Sequence, residues 1–156
     1  MTADVQHPPV LLAETVELLD LGPGLLYGDF TCGHGGHLGE VLRRLGPTGR
    51  AVALDLDPES LATAQARLAE FAGQVTYLHR SFGELAAVAA EHAPDGFDRI
   101  LIDLGLTLAQ TKGRFSFQGD HPLDFRLDPT CGPTAAELLA TADASELEEL
   151  IKANQI

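Results

Sequence analysis

The run from Asp29 to His37, DFTCGHGGH, sets three glycines and two histidines between an apolar segment and an amphipathic one. Glycines at that density let a backbone turn sharply or come close to a partner. Histidine and Cys32 add ring nitrogens and a thiol. The run alone fits a nucleotide loop, a metal site or a tight turn. Asp55 narrows the choice, because it stands about 20 residues beyond the loop at the tip of the next apolar segment, where a carboxylate accepts hydrogen bonds from two ribose hydroxyls. Loop and acid together read as a site for a nucleoside-bearing cofactor. No lysine followed by serine or threonine comes after the glycines, which argues against the phosphate loop of a nucleoside triphosphatase. His34, His37 and Cys32 have no second cluster at ligand spacing, so no metal is assigned. Cys32 reads as a small buried side chain and His34 as a solvent-facing bystander.

The elements that must position these residues follow from periodicity. Residues 9–20 place Leu11, Leu12, Val16 and Leu19 on one helical face. An apolar strand at 24–30 precedes the glycines, and a helix at 37–45 follows with Leu38, Val41, Leu42 and Leu45 in line. A strand at 51–56 leads to a helix capped by Asp57, with Pro58 in its first turn and Leu61, Ala64, Leu68 and Phe71 inward. A strand at 75–79, a helix near 83–92 and a nearly continuous apolar strand at 98–106 come next. A loop spans 107–132. Two helices close the chain, the second starting at a capping box of Ser145 and Glu148. Strands alternating with helices predict an α/β fold with a Rossmann-like parallel sheet, whose ligands bind beyond the carboxyl ends of the strands. That rule gathers the glycine loop, Asp55, Ser81-Phe82 and Asp103-Leu104-Gly105 at one edge.

Composition bounds the rest. The chain of 156 residues, 45% hydrophobic and 21% charged, fits one globular domain. It has no apolar run long enough for a membrane span, and its polar start reads as no signal peptide. Two cysteines suit a reducing compartment, so a cytoplasmic location is expected. A net charge of −13 opposes general nucleic-acid binding and leaves Lys112, Arg114 and Arg126 as the compact basic candidate. Acidity also separates two cofactor types. Asp29, Asp55, Asp57 and Asp103 ring the strand tips, where a pyrophosphate would meet repulsion and a sulfonium with its ammonium would not. S-adenosylmethionine is therefore favoured over a nicotinamide dinucleotide.

The segments HPPVLLAETVELL, GDFTCGHGGHLGEVL, ALDLDPESLATA, HRSFGEL, DRILIDLGLTLAQ, GRFSF and HPLDFRLDPTCGPTAAELL occur in that order. Together they resemble the bacterial ribosomal RNA small-subunit methyltransferase H family. The resemblance implies S-adenosylmethionine-dependent methylation of N4 of a cytidine in small-subunit ribosomal RNA. It carries Gly35, Gly36 and His37 to the methionine end of the cofactor, the glycines letting the chain approach it. Asp55 goes to the ribose, Phe82 to the adenine region, Asp103 to the acidic contact after the fourth strand and Gln110 to the loop beyond. Asp103 and Asp124 are candidate acceptors at the reacting amine, and no catalytic base is assigned.

Against the family, the loop LGLTLAQTKGRFSF reads as shortened, with glycine and arginine exchanged. Family chains are longer, with a helical insertion and further strands. Residues 1–132 accordingly read as a cofactor-binding Rossmann-like half-domain, its sheet truncated after the fourth strand, and 133–156 as two helices opening the insertion. The fourth strand should then expose an apolar edge to a second copy or a complementing chain. The alternative function is a non-catalytic cofactor-binding or protein-interaction module.

Overall fold

Four parallel strands, β1 (Leu26–Asp29), β2 (Arg50–Asp55), β3 (Val75–His79) and β4 (Arg99–Leu101), form one sheet in the order β3-β2-β1-β4. The computed structural model describes residues 9–106, 108–113, 115, 116 and 120–153. The helix α1 (Leu12–Leu18) precedes the first strand, α2 (Gly36–Leu45), α3 (Pro58–Arg67) and α4 (Leu85–His92) run between the strands, and α5 (Leu108–Lys112), α6 (Ala135–Thr141) and α7 (Ala144–Ala153) follow. This is the expected Rossmann-like sheet with flanking helices. Two compact units divide the chain, one ending at Thr107 and the other beginning at Leu108.

In the first unit, alternation along β2 decides the layers. Ala51 and Ala53 face Val16, Leu38, Val41, Leu42, Leu61, Ala64 and Leu68 of α1, α2, α3 and the residue after α3. Val52 and Leu54 face the other way, onto Phe30 and Val88, with Leu85 and Phe97 packed alongside. Small alanines on one face let α2 and α3 lie close. Asp57 caps α3 as expected, its side chain accepting from the Glu59 amide, with Pro58 in the first turn. The register aligns Asp29 with Ala53 and with Leu101, and Asp55 with His79, so the four carboxyl ends form one edge.

Four expectations are corrected. Leu11 is exposed, since it caps α1 in a left-handed conformation rather than joining its inner face. The strand expected over 98–106 stops at Leu101, because β1, its one neighbour among the described residues, ends at Asp29 opposite it. Apolar character alone did not mark where the ladder loses its partner, and Ile102, Leu104 and Leu106 are exposed. The loop expected over 107–132 contains α5. The last helix is capped by Asp143, which accepts from the amides of Ser145 and Glu146 while Glu146 returns a bond to the Asp143 amide, so the box lies two residues before the expected Ser145–Glu148 pair.

The second unit is held by local polar bonds. Thr134 and Glu137 form a capping box on α6, and the Arg126 guanidinium grips both oxygens of Asp124 at 2.6 and 3.0 Å. Phe115 meets Phe125 edge-on. No helix among the described residues is long and apolar enough to cross a membrane.

Candidate functional site at the carboxyl edge of the sheet

The chain leaves β1 at Asp29 and turns through Thr31–Gly35 into α2. Gly35 holds a left-handed conformation, φ 73°, as the residue before the helix. A side chain there would meet Leu68 at 2.9 Å and Ala64 at 3.2 Å. At Gly36 a side chain would run into Pro9. Within the protein, what approaches closely at 35 and 36 is α3 on one side and the N-terminal segment on the other. The amino end of α2 follows the end of β1 after this short turn and so lies at the carboxyl edge.

Asp55 sits at the end of β2 and closes the loop. Its carboxylate accepts from the Gly33 amide at 2.7 Å through one oxygen and from the Asp57 amide at 2.9 Å through the other. A carboxylate has about four lone-pair positions, so two acceptor positions remain after both amides are satisfied. The group is fixed by backbone donors and still able to take two further hydroxyls.

His37, in the first turn of α2, points its Nε2 at the Val10 carbonyl, 3.2 Å away. A carbonyl only accepts, so Nε2 carries the proton and donates. In the neutral ring Nδ1 is then an acceptor, and it faces the Asp103 carboxylate at 3.9 Å. Two acceptors that face each other suit a donor supplied from elsewhere. The Asp103 side chain is 54% exposed, and its backbone amide donates to Thr31 Oγ1 at 2.7 Å.

The acidic rim shrinks from four carboxylates to two. Asp57 is 2% exposed and spends its oxygens on the Glu59 amide and the Ser60 hydroxyl. Asp29 is 1% exposed, with only long bonds of 3.4 Å from the Tyr27 hydroxyl and the Thr31 amide. Burial, with the Asp55 and Asp103 charges adding to it, pushes its carboxyl up to about 7. Cys32 is buried, as its sequence position suggested, and burial holds its thiol in the protonated form.

Phe82 follows β3 on a single turn, Phe82–Glu84, that is locked by a capping box between Ser81 and Glu84. Its ring is exposed beyond the strand ends. The structure therefore gathers Gly35, Gly36, His37, Asp55, Phe82 and Asp103 along one edge. Gln110 lies on α5, in the second unit, where its carbonyl accepts from the Gly113 and Phe115 amides. Arg126 is paired with Asp124, which acts as its partner, Lys112 ends α5, and Arg114 lies outside the described residues. Sequence reasoning missed Thr31 and the Pro9-Val10 segment. Thr31 meets a partner 72 residues away, and no local pattern signals that. A cavity of about 310 Å³ at the opposite, amino-terminal edge is lined by Leu26, Arg50, Gln74 and His92 and shares no residue with this group.

Comparison with known proteins adds a family. The sequence model of the MraW methylase family matches residues 4–154. The ribosomal RNA small subunit methyltransferase H of Chromobacterium violaceum is 45% identical over 94% of this chain, covering 46% of that protein. The protein of the same name from Trichlorobacter lovleyi is 41% identical over 96% of this chain and 49% of its own. The chain thus spans about half the length of these curated relatives. Among solved structures, TrmN from Thermus thermophilus superposes with a TM-score of 0.51 and 30% identity over 67% of this chain and 30% of its own.

Proposed function

The chain belongs to the MraW methylase family, and from that premise we propose that its first unit binds S-adenosylmethionine for methylation of small-subunit ribosomal RNA, at N4 of a cytidine. The observation that carries the reading is the shared carboxyl edge, where the glycine loop, Asp55, Phe82 and Asp103 converge although the sequence separates them widely. An open parallel sheet binds its ligands there, at the point where strand order reverses. Here that point lies between β1 and β4.

The residues present fit such a group. Asp55, with two acceptor positions left, would take the ribose hydroxyls. Phe82 offers an exposed aromatic face to the adenine. The opposed acceptors His37 Nδ1 and Asp103 suit a donor that carries positive charge, as the methionine ammonium does. When bound, the cofactor supplies an electrophilic methyl group on a sulfonium. The chain's own contribution is alignment and charge. An exocyclic cytidine amine is a weak nucleophile, because its lone pair is delocalised into the ring, so holding it in line within about 3–3.5 Å matters more than any single base. The net charge of −13 opposes an RNA backbone. Affinity for ribosomal RNA then comes through a local basic patch or with help from elsewhere.

Calorimetric titration with S-adenosylhomocysteine and with NAD tests the cofactor. The reading expects binding of the first and none of the second, and tighter binding of NAD would overturn it. Methyl transfer from labelled S-adenosylmethionine to small ribosomal subunits, with the product nucleoside identified, tests the substrate. Label on a base other than cytidine would refute the N4 assignment.

A further inference from the structure

We propose that Thr31 is a positioning residue of the carboxyl-edge site, its hydroxyl tying the end of β4 to the turn after β1 and so holding the Asp103 carboxylate beside His37. This rests on the methyl-donor reading above and extends it to a residue with no expected role there.

Phe30 donates its amide to the Leu101 carbonyl at 3.0 Å, which continues the pairing one residue beyond β1. If the ladder went on, the Phe30 carbonyl would receive the Asp103 amide next. It does not, because that amide goes to Thr31 Oγ1 at 2.7 Å. On the other side, the Cys32 amide donates to the Leu54 carbonyl at 2.8 Å, so the chain is drawn toward β2 as it leaves the strand. The turn therefore moves away from β4 at the topological switch point, where a ligand crevice opens. Thr31 spans the opening with a side-chain oxygen in place of a backbone one.

The consequence falls on Asp103. Its carboxylate is exposed and lies 3.9 Å from His37 Nδ1, and beyond Leu101 no ladder bond fixes it. The amide bond to Thr31 is what the structure provides to set its backbone. The opposite end of the crevice does not depend on this tie, since Asp55 is fixed by the Gly33 and Asp57 amides. Loss of the hydroxyl should therefore weaken the Asp103 end of a bound ligand and leave the ribose end unaffected.

The test compares Thr31→Val, which keeps the branched shape without the hydroxyl, and Thr31→Ser, which keeps the hydroxyl. Amide exchange at Asp103 should quicken by about tenfold in the valine variant, with exchange at Ala53 and Leu54 unchanged. Affinity for S-adenosylhomocysteine should fall by about five- to tenfold, the scale of one lost neutral hydrogen bond, while adenosine binding stays constant. Serine should restore both within about twofold. Equal weakening of S-adenosylhomocysteine and adenosine, or unchanged exchange at Asp103, would overturn the proposal. If the valine variant does not fold, Thr31→Ala replaces it, and an unprotected Asp103 amide in the parent chain would refute the tie directly. Failure of the parent to bind S-adenosylhomocysteine would defeat the methyl-donor reading itself, a result distinct from either exchange outcome.

Discussion

β2 and β4 both flank β1, and they are held there by different means. β2 pairs on both sides, four of its six residues are buried, and its final residue Asp55 is locked by two backbone amides. Among the described residues β4 pairs on one side, over three residues. Side-chain bonds hold it at its ends instead. Asp98 accepts the Leu26 amide at 2.7 Å, Arg99 donates to the Leu19 carbonyl, and Thr31 receives the Asp103 amide at 2.7 Å. One wall of the site is thus built by burial and ladder bonds, which are strong and cooperative, and the other by single polar contacts. Substitutions on the β2 side should act on stability and binding together, and those on the β4 side on binding with little change in stability.

The contrast is broken most severely at Leu54, which is 0% exposed between Phe30 and Val88. Leu54→Ala should cost roughly 2–5 kcal/mol in chemical denaturation, the transfer term plus the cavity left behind. A loss below about 1 kcal/mol would mean that this face repacks and that β2 is not the rigid wall.

Asp29 gives the next effect, and it depends on pH. Its folded carboxyl is raised from 3.8 to about 7, mainly by burial, so the folded chain holds this proton more tightly than the unfolded one. The contribution is fully present below about 4 and is lost as pH rises through about 7. At about 1.4 kcal/mol per pKa unit, Asp29→Asn should gain stability relative to the parent by up to about 4 kcal/mol across that window, then level off. A difference between the two chains that stays flat with pH would show that Asp29 is solvated or paired.

Asp55→Ala should weaken S-adenosylhomocysteine binding by roughly 1.5–3 kcal/mol, the scale of a charged hydrogen-bonding partner. It should also lower stability, because the Gly33 and Asp57 amides lose their acceptor. Binding within a factor of two of the parent would remove Asp55 from the ribose. The smallest effect is expected on β4. Ile100 is already exposed, and Ile100→Thr should shift stability by less than about 1 kcal/mol by thermal denaturation. A larger loss would show that the outer face of β4 is packed in solution.

The same contrast explains what could be read from the sequence. β3 lies where its apolar run placed it, and α2 and the Asp57 cap follow from helical spacing and cap chemistry, which are local signals. The length of β4 depends on where β1 stops, which is a property of two segments, and its apolar run continued past the last ladder partner. Gly36 signalled a close approach correctly, but nothing local identified Pro9 as the neighbour. For the acidic residues, sequence gave their positions at the strand tips and not their directions. Asp29 and Asp57 turn inward, while Asp103 turns out.

The account stands on one claim, that the carboxyl edge of this sheet receives S-adenosylmethionine. The most direct measurement is an amide chemical-shift map of the chain titrated with S-adenosylhomocysteine. The account predicts saturable shifts at Gly33, Gly35, Asp55, Phe82 and Asp103, with Leu26, Arg50, Gln74 and His92 at the amino-terminal cavity unchanged. Shifts confined to that cavity, with the glycine loop and Asp55 unmoved, would contradict it.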